Sequence, residues 1–76
     1  MEMTVPQIRE KLQDPDFKKF ESERRNCSIE LIECVVGDLL NETDDLILRL
    51  HRSVWSLDRI LTAYAKENRT RYEGRK

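Results

Sequence analysis

Residues 32–64 read IECVVGDLLNETDDLILRLHRSVWSLDRILTAY, and the placing of apolar side chains in this stretch decides the fold. Ile32, Val36, Leu39, Thr43, Leu46, Leu50, Ser53, Leu57, Ile60 and Tyr64 follow one another at alternating steps of four and three, the rhythm of a heptad seam on an α-helix. A second column, Leu40, Ile47, Val54 and Leu61, repeats every seven residues beside it. The stripe is therefore three positions wide per heptad, the width of a bundle core and more than a two-stranded coiled coil uses. The reading is all-α, with Ile32, Val36, Leu39, Leu46, Leu50, Leu57, Ile60 and Leu61 as the core.

Two arrangements satisfy this pattern over residues 27–68: one long helix, or a hairpin of two. The unbroken register favours the rod. Asn41-Glu-Thr43-Asp-Asp favours a turn, because Asn suits the end of a helix while Thr followed by acidic residues suits the start of the next. The turn is preferred, which gives a long antiparallel helical pair of the bundle type. Leu48 and Trp55, seven residues apart, fall off the seam, and a helix apolar on two faces needs two partners.

Working outward, Ser28 is placed to cap the first member of the pair, with Glu30 in its first turn. Residues 1–26 form an N-terminal helical arm. Thr4-Val-Pro-Gln7 has the make-up of a capping box with Pro in the first turn, and Ile8 and Leu12 supply a short apolar face. Asp14-Pro15 breaks that helix, since a residue before Pro is driven from helical geometry, and Pro15 then opens a second piece with a Phe17/Phe20 stripe. At the other end apolar content falls away after Tyr64, so Lys66–Lys76 reads as frayed and residues 69–76 as a basic flexible tail. The 76 residues make one small domain, and a domain of this size hides only about 60% of the surface its unfolded chain exposes. Completion of the bundle by self-association, as a homodimer, is the expectation.

The formal net charge of −1 conceals a division of the chain. Residues 1–26 hold six basic and six acidic side chains, 27–48 hold six acidic and no basic ones, and 49–76 hold eight basic and three acidic. Acidic 27–48 is expected to lie against basic residues of 49–66, across a hairpin or a dimer. Each exposed contact contributes only tenths of a kcal/mol.

A search for chemistry returns little. Cys27 and Cys34 on one helix would stand about 10.5 Å apart, beyond the ~7 Å limit for a disulfide, and they read as small apolar residues. His51 is the only histidine; without a second ligand it makes no zinc site, and it reads as solvated or paired with Asp44 or Asp58. No nucleophile elbow surrounds Ser28, Ser53 or Ser56. No catalytic residue, metal site or cofactor is assigned. No leader peptide opens the chain, and no apolar run approaches the roughly 18 residues of a membrane span. A cytoplasmic or otherwise intracellular address without a membrane partner is expected.

Glu30-x-x-Glu33 and Glu42-x-x-Asp45 form the most chemical-looking pattern. It resembles the EXXE and EXXD motifs of MazG-like nucleotide pyrophosphohydrolases, all-α enzymes whose carboxylates bind magnesium, and a turn at Gly37-Asp38 would set the two pairs face to face. The order of a short helix, a helix bearing Leu31-Ile-Glu-Cys-Val35 and a helix from Arg59-Ile60 to Arg69-Thr-Arg71 resembles the helical domain of GINS replication subunits, which implies a replication-associated role. The reading preferred from the residues themselves is a non-catalytic protein-protein interaction module, an adaptor or regulator. Leu48, Arg52, Trp55 and Arg59 are its interface with a protein partner, since contact energy in interfaces concentrates on Trp, Tyr and Arg. The alternative is a nucleic-acid-associated protein using Lys66, Arg69, Arg71 and Lys76 on phosphates, with Tyr72 to stack on a base.

Overall fold

The computed structural model describes residues 2–74. Six helices follow one another among them: α1 Val5–Leu12, α2 Pro15–Arg25, α3 Ile29–Leu40, α4 Asp44–Val54, α5 Leu57–Glu67 and the single turn α6 Arg69–Tyr72. No strand occurs among the described residues, and no helix is long and apolar enough to cross a membrane.

Local chemistry sets most of the boundaries. Thr4 Oγ1 accepts from the Gln7 N–H at 3.3 Å while Gln7 Oε1 accepts from the Thr4 N–H at 2.9 Å, a complete capping box. Asp14 caps α2 ahead of Pro15, and Ser28 and Thr43 cap α3 and α4 through the N–H groups of Leu31 and Leu46. The chain therefore turns at Asn41–Thr43, and residues 27–68 are not one rod.

Neither are they two helices. The second member of the pair is broken at Trp55, which takes a left-handed backbone conformation with φ of 53°, and α5 begins at Leu57. The break re-phases the seam. Ile32, Val36, Leu39, Leu50, Ile60 and Leu61 are buried as expected, and Ile47, Val35, Tyr64, Ile8, Leu12 and Tyr72 join them. Leu46 and Leu57 are only half-buried, because each lies in the first turn after a chain reversal. Phe20 does not share a stripe with Phe17: it is 58% exposed, while Phe17 packs on the core.

Glu21 takes the inward place on α2 and is 1% exposed. Its Oε1 accepts from Arg25 Nε at 2.8 Å and Arg24 Nη2 at 3.0 Å. Arg25 Nη2 reaches on to the Asp58 carbonyl at 2.6 Å and Thr62 Oγ1 at 2.8 Å, and Arg24 Nη2 stands 3.2 Å from Asp58 Oδ2. A carboxylate cannot be buried at tolerable cost unless its charge is paired; here the pairing also ties α2 to α5. A second tie runs from α1, where Arg9 donates to the carbonyls of Leu40 at 2.6 Å and Glu42 at 2.9 Å and to Asp44 Oδ1 at 2.8 Å. The fork thus holds the end of α3, the turn and the start of α4 together.

The C-terminal residues are docked as far as Tyr72, which corrects the expectation of a flexible tail from residue 69. Tyr72 is 8% exposed and its hydroxyl donates to Asp38 Oδ2 on α3 at 2.7 Å. Arg71 Nη1 lies 3.7 Å from the same oxygen and donates to the Tyr64 hydroxyl at 3.3 Å, and Tyr64 in turn donates to Glu42 Oε2 at 2.6 Å. Acidic 27–48 is thereby matched by the arm and the C-terminus, through Lys18–Glu33, Arg9–Asp44 and Arg71–Asp38. No ion pair joins it to residues 49–66 among the described residues; its ion pairs run to α1, α2 and α6 instead.

Burial and the carboxylates beside them hold both tyrosine hydroxyls above their ordinary value of 10.0. The folded state therefore prefers them protonated. Their contribution to stability is complete below about pH 10, the ordinary tyrosine value, and is lost as pH rises further. Tyr72→Phe is expected to lower stability by about 1 kcal/mol at neutral pH and to make the alkaline decline shallower. Urea unfolding at pH 7 and above pH 10 checks both.

Candidate functional site

The site is the elbow between α4 and α5. α4 opens on the Thr43 cap with Asp44 and Asp45 in its first turn and closes with Arg52 in its last, the charge order that suits a helix dipole. At the elbow Trp55 donates its N–H to the His51 carbonyl and then swings out of helical geometry. Ser56 follows without capping the backbone of α5. Its hydroxyl is given instead to the Asp58 carboxylate. That hydrogen bond first, and Arg24 in addition, hold the Asp58 carboxyl below its usual range.

Trp55 is 60% exposed and, with Phe20, is one of the two large apolar side chains left open among the described residues. Its ring stands edge-on to the His51 imidazole, with centroids 5.4 Å apart and planes at 65°. His51 is not the solvated or salt-bridged residue expected: it is 3% exposed, and Nδ1 has no hydrogen-bond partner among the described residues. The turn of the helix that exposes Arg52 carries His51 inward beside Ile47 and Leu50.

Leu48, Arg52 and Trp55 follow at steps of four and three along one flank of α4, and Arg59 lies in the first turns of α5. Arg52 is exposed and its Nε meets Glu2 Oε1 at 2.7 Å. Arg59 is exposed and makes no ion pair among the described residues. Leu48 is half-buried and stands apart from the core cluster. It lies between two ties to the N-terminal arm, Asp44 to Arg9 and Arg52 to Glu2, so the arm runs antiparallel along that flank and takes up part of it. Trp55 and Arg59 remain the open part of the expected interface.

The basic C-terminal set is divided. Lys66 and Arg69 are exposed, while Arg71 is engaged with Tyr64 and Asp38. Tyr72 is buried, so it does not present a ring for stacking. Lys76 lies outside the described residues.

The carboxylate pairs are not opposed. Gly37 and Asp38 lie inside α3 and the chain turns four residues later, so the geometry needed for facing pairs is absent. Glu30, Glu33 and Asp45 are exposed, and Glu42 accepts from Tyr64. No group of three or more His, Cys, Asp or Glu side chains close enough to hold a metal occurs among the described residues. Cys27 and Cys34 are both half-buried and form no disulfide.

The buried salt cluster at Glu21 and the buried His51 escaped the sequence reading, since both are polar residues in positions that periodicity weighs as solvent-facing. Glu21 lies four residues from Phe17 and four from Arg25, one helical face, and that spacing was the available signal. No protein family, curated protein or solved structure matches this chain.

Proposed function

We propose that the chain is a non-catalytic helical module that binds a protein partner through the α4–α5 elbow and that it acts as a homodimer. The observation that carries this reading is Trp55, 60% exposed and, with Phe20, one of two large apolar side chains open among the described residues. A small domain with little core to spare gains nothing from leaving its only tryptophan in water. The ring is not loose: the left-handed backbone and the His51 edge aim it outward, and a rigid aromatic loses little conformational freedom on binding. Arg59, in the first turn of α5, is exposed and has no ion pair among the described residues, and Trp with Arg is the composition in which interface energy concentrates. The nucleic-acid reading has less support, because Arg71 and Tyr72 are spent on the fold.

The test is affinity capture from a native extract with wild-type protein and with Trp55→Ala. The wild type is expected to retain a protein partner at physiological salt. The variant is expected to recover at least about ten-fold less, as for loss of a hot-spot side chain. Equal recovery by both chains would remove the elbow from the interface. Recovery of mainly nuclease-sensitive material that is released steeply by salt would replace protein binding with phosphate binding.

A further inference from the structure

We propose that α4 and α5 straighten into one helix across Trp55–Ser56 and that two copies of the chain then exchange α5 and α6, giving a domain-swapped homodimer. This rests on the self-association in the preceding reading and supplies its route.

Three observations locate the hinge. Residues 44–67 contain neither Gly nor Pro, and the heptad seam runs through the elbow from Leu50 to Leu57, Ile60 and Tyr64 without a step out of register. The sequence across the break is helical by pattern and contains no helix breaker. The break is also held by a poor residue for its conformation. Two non-glycine residues have positive φ among those described, Asn26 at 54° and Trp55 at 53°; Asn visits this region with local help, whereas a bulky aromatic there is an outlier. Finally, α5 has no side-chain cap, unlike α1 to α4, whose caps are Thr4, Asp14, Ser28 and Thr43. Straightening relieves the backbone at Trp55 and gives the uncapped N–H groups at the start of α5 intrahelical partners.

The occupant follows from dimensions and contacts. A helix over residues 44–67 is about 36 Å long, whereas the folded chain measures 33 × 26 × 19 Å. A straight helix therefore carries α5 away from α3, and the vacated surface needs a replacement. What α5 and α6 leave behind is specific: Arg24 and Arg25 for Asp58 and Thr62, Glu42 for Tyr64, and Asp38 for Tyr72. Only a second copy of this chain offers that set in the same order, and exchange between copies restores every one of those bonds.

Backbone preference at residue 55 separates this from any dimer made by the ring itself. Trp55→Gly and Trp55→Ala both delete the indole, but Gly accepts positive φ and disfavours helix, while Ala does the reverse. Each chain should shift by about ten-fold or more between the two variants, so the dimer dissociation constant should be about a hundred-fold lower for Ala. Trp55→Asn and Trp55→Leu repeat the contrast with a residue that tolerates positive φ and one that favours helix, should a truncated variant fail to fold. Sedimentation with small-angle scattering should find the Gly and Asn variants monomeric. The Ala and Leu variants should yield an elongated dimer that survives dilution for hours and exchanges subunits only after partial denaturation. Equal distributions in the paired variants would overturn the swap. A dimer that dissociates promptly on dilution would also overturn it while leaving self-association standing; monomers throughout would remove both. Because both truncations lack the ring, their loss of the capture partner is judged separately from their oligomeric state.

Discussion

Glu21→Ala is expected to remove about 3 kcal/mol of stability, the low end of what breaking a buried ion pair costs. In a domain whose whole stability is about 5 kcal/mol, that is most of the margin, and the melting temperature should fall by about 15 °C. The reason is the company Glu21 keeps. Its carboxylate is 1% exposed and receives hydrogen bonds from both Arg24 and Arg25, so its loss leaves two guanidinium groups facing each other without the charge between them. Arg25 is the more affected. It is three-quarters hidden and is also committed to Asp58 and Thr62 on α5, so α2 and α5 loosen together. Glu21→Gln preserves shape and one acceptor but removes the charge, and should fall between wild type and Ala. Thermal unfolding followed by circular dichroism measures all three; a change below 1 kcal/mol for Ala would show that the cluster is solvated and contributes little.

Arg9→Ala should cost about 2 kcal/mol, with Arg9→Lys recovering less than half. This guanidinium donates four hydrogen bonds, two to backbone carbonyls and two to Asp44 Oδ1. Hydrogen bonds to charged groups contribute about 1.5–3 kcal/mol each at best, and the partial exposure of Arg9 and high exposure of Asp44 reduce the ion-pair share. The Leu40 carbonyl ends α3 and the Glu42 carbonyl lies in the turn after it, where backbone acceptors lack helical partners, and a planar fork reaches both at once. A Lys ammonium is a point charge and satisfies one geometry at a time. Amide hydrogen exchange at residues 40–44 should accelerate in the Ala variant before global unfolding does.

How much of this was readable in advance depends on the range of the interaction. The Thr4 capping box, the Asp14-Pro15 break, the Ser28 cap and the Asn41–Thr43 turn are decided by residues within four positions of one another, and each stands where its local chemistry puts it. The elbow at Trp55 is decided by tertiary packing, which overrides an unbroken helical pattern. The docking of α6 depends on Tyr72 finding Asp38, 34 residues away, so composition alone mistook a packed turn for a loose basic end. Within the candidate site, Trp55 was visible as an apolar residue off the seam. The partial covering of Leu48 was not, because the arm that covers its flank is recruited by Arg9 and Glu2, from the far end of the chain.

The ties made by Arg25 also set a timetable for synthesis. The bonds that close the buried end of α2 join residue 25 to residues 58 and 62, separated by 33 and 37 positions. A chain leaving the ribosome at about 5–20 residues per second therefore waits roughly 2–7 s between making Arg25 and making its last partner. During that interval Glu21 has its arginines but no α5 above them. The two helical segments of the N-terminal third, of 8 and 11 residues, are each below the ~12 residues at which isolated helices begin to hold, so they are only partly formed until then. Twelve charged side chains among the first 26 residues keep that stretch hydrated until the far end of the chain arrives.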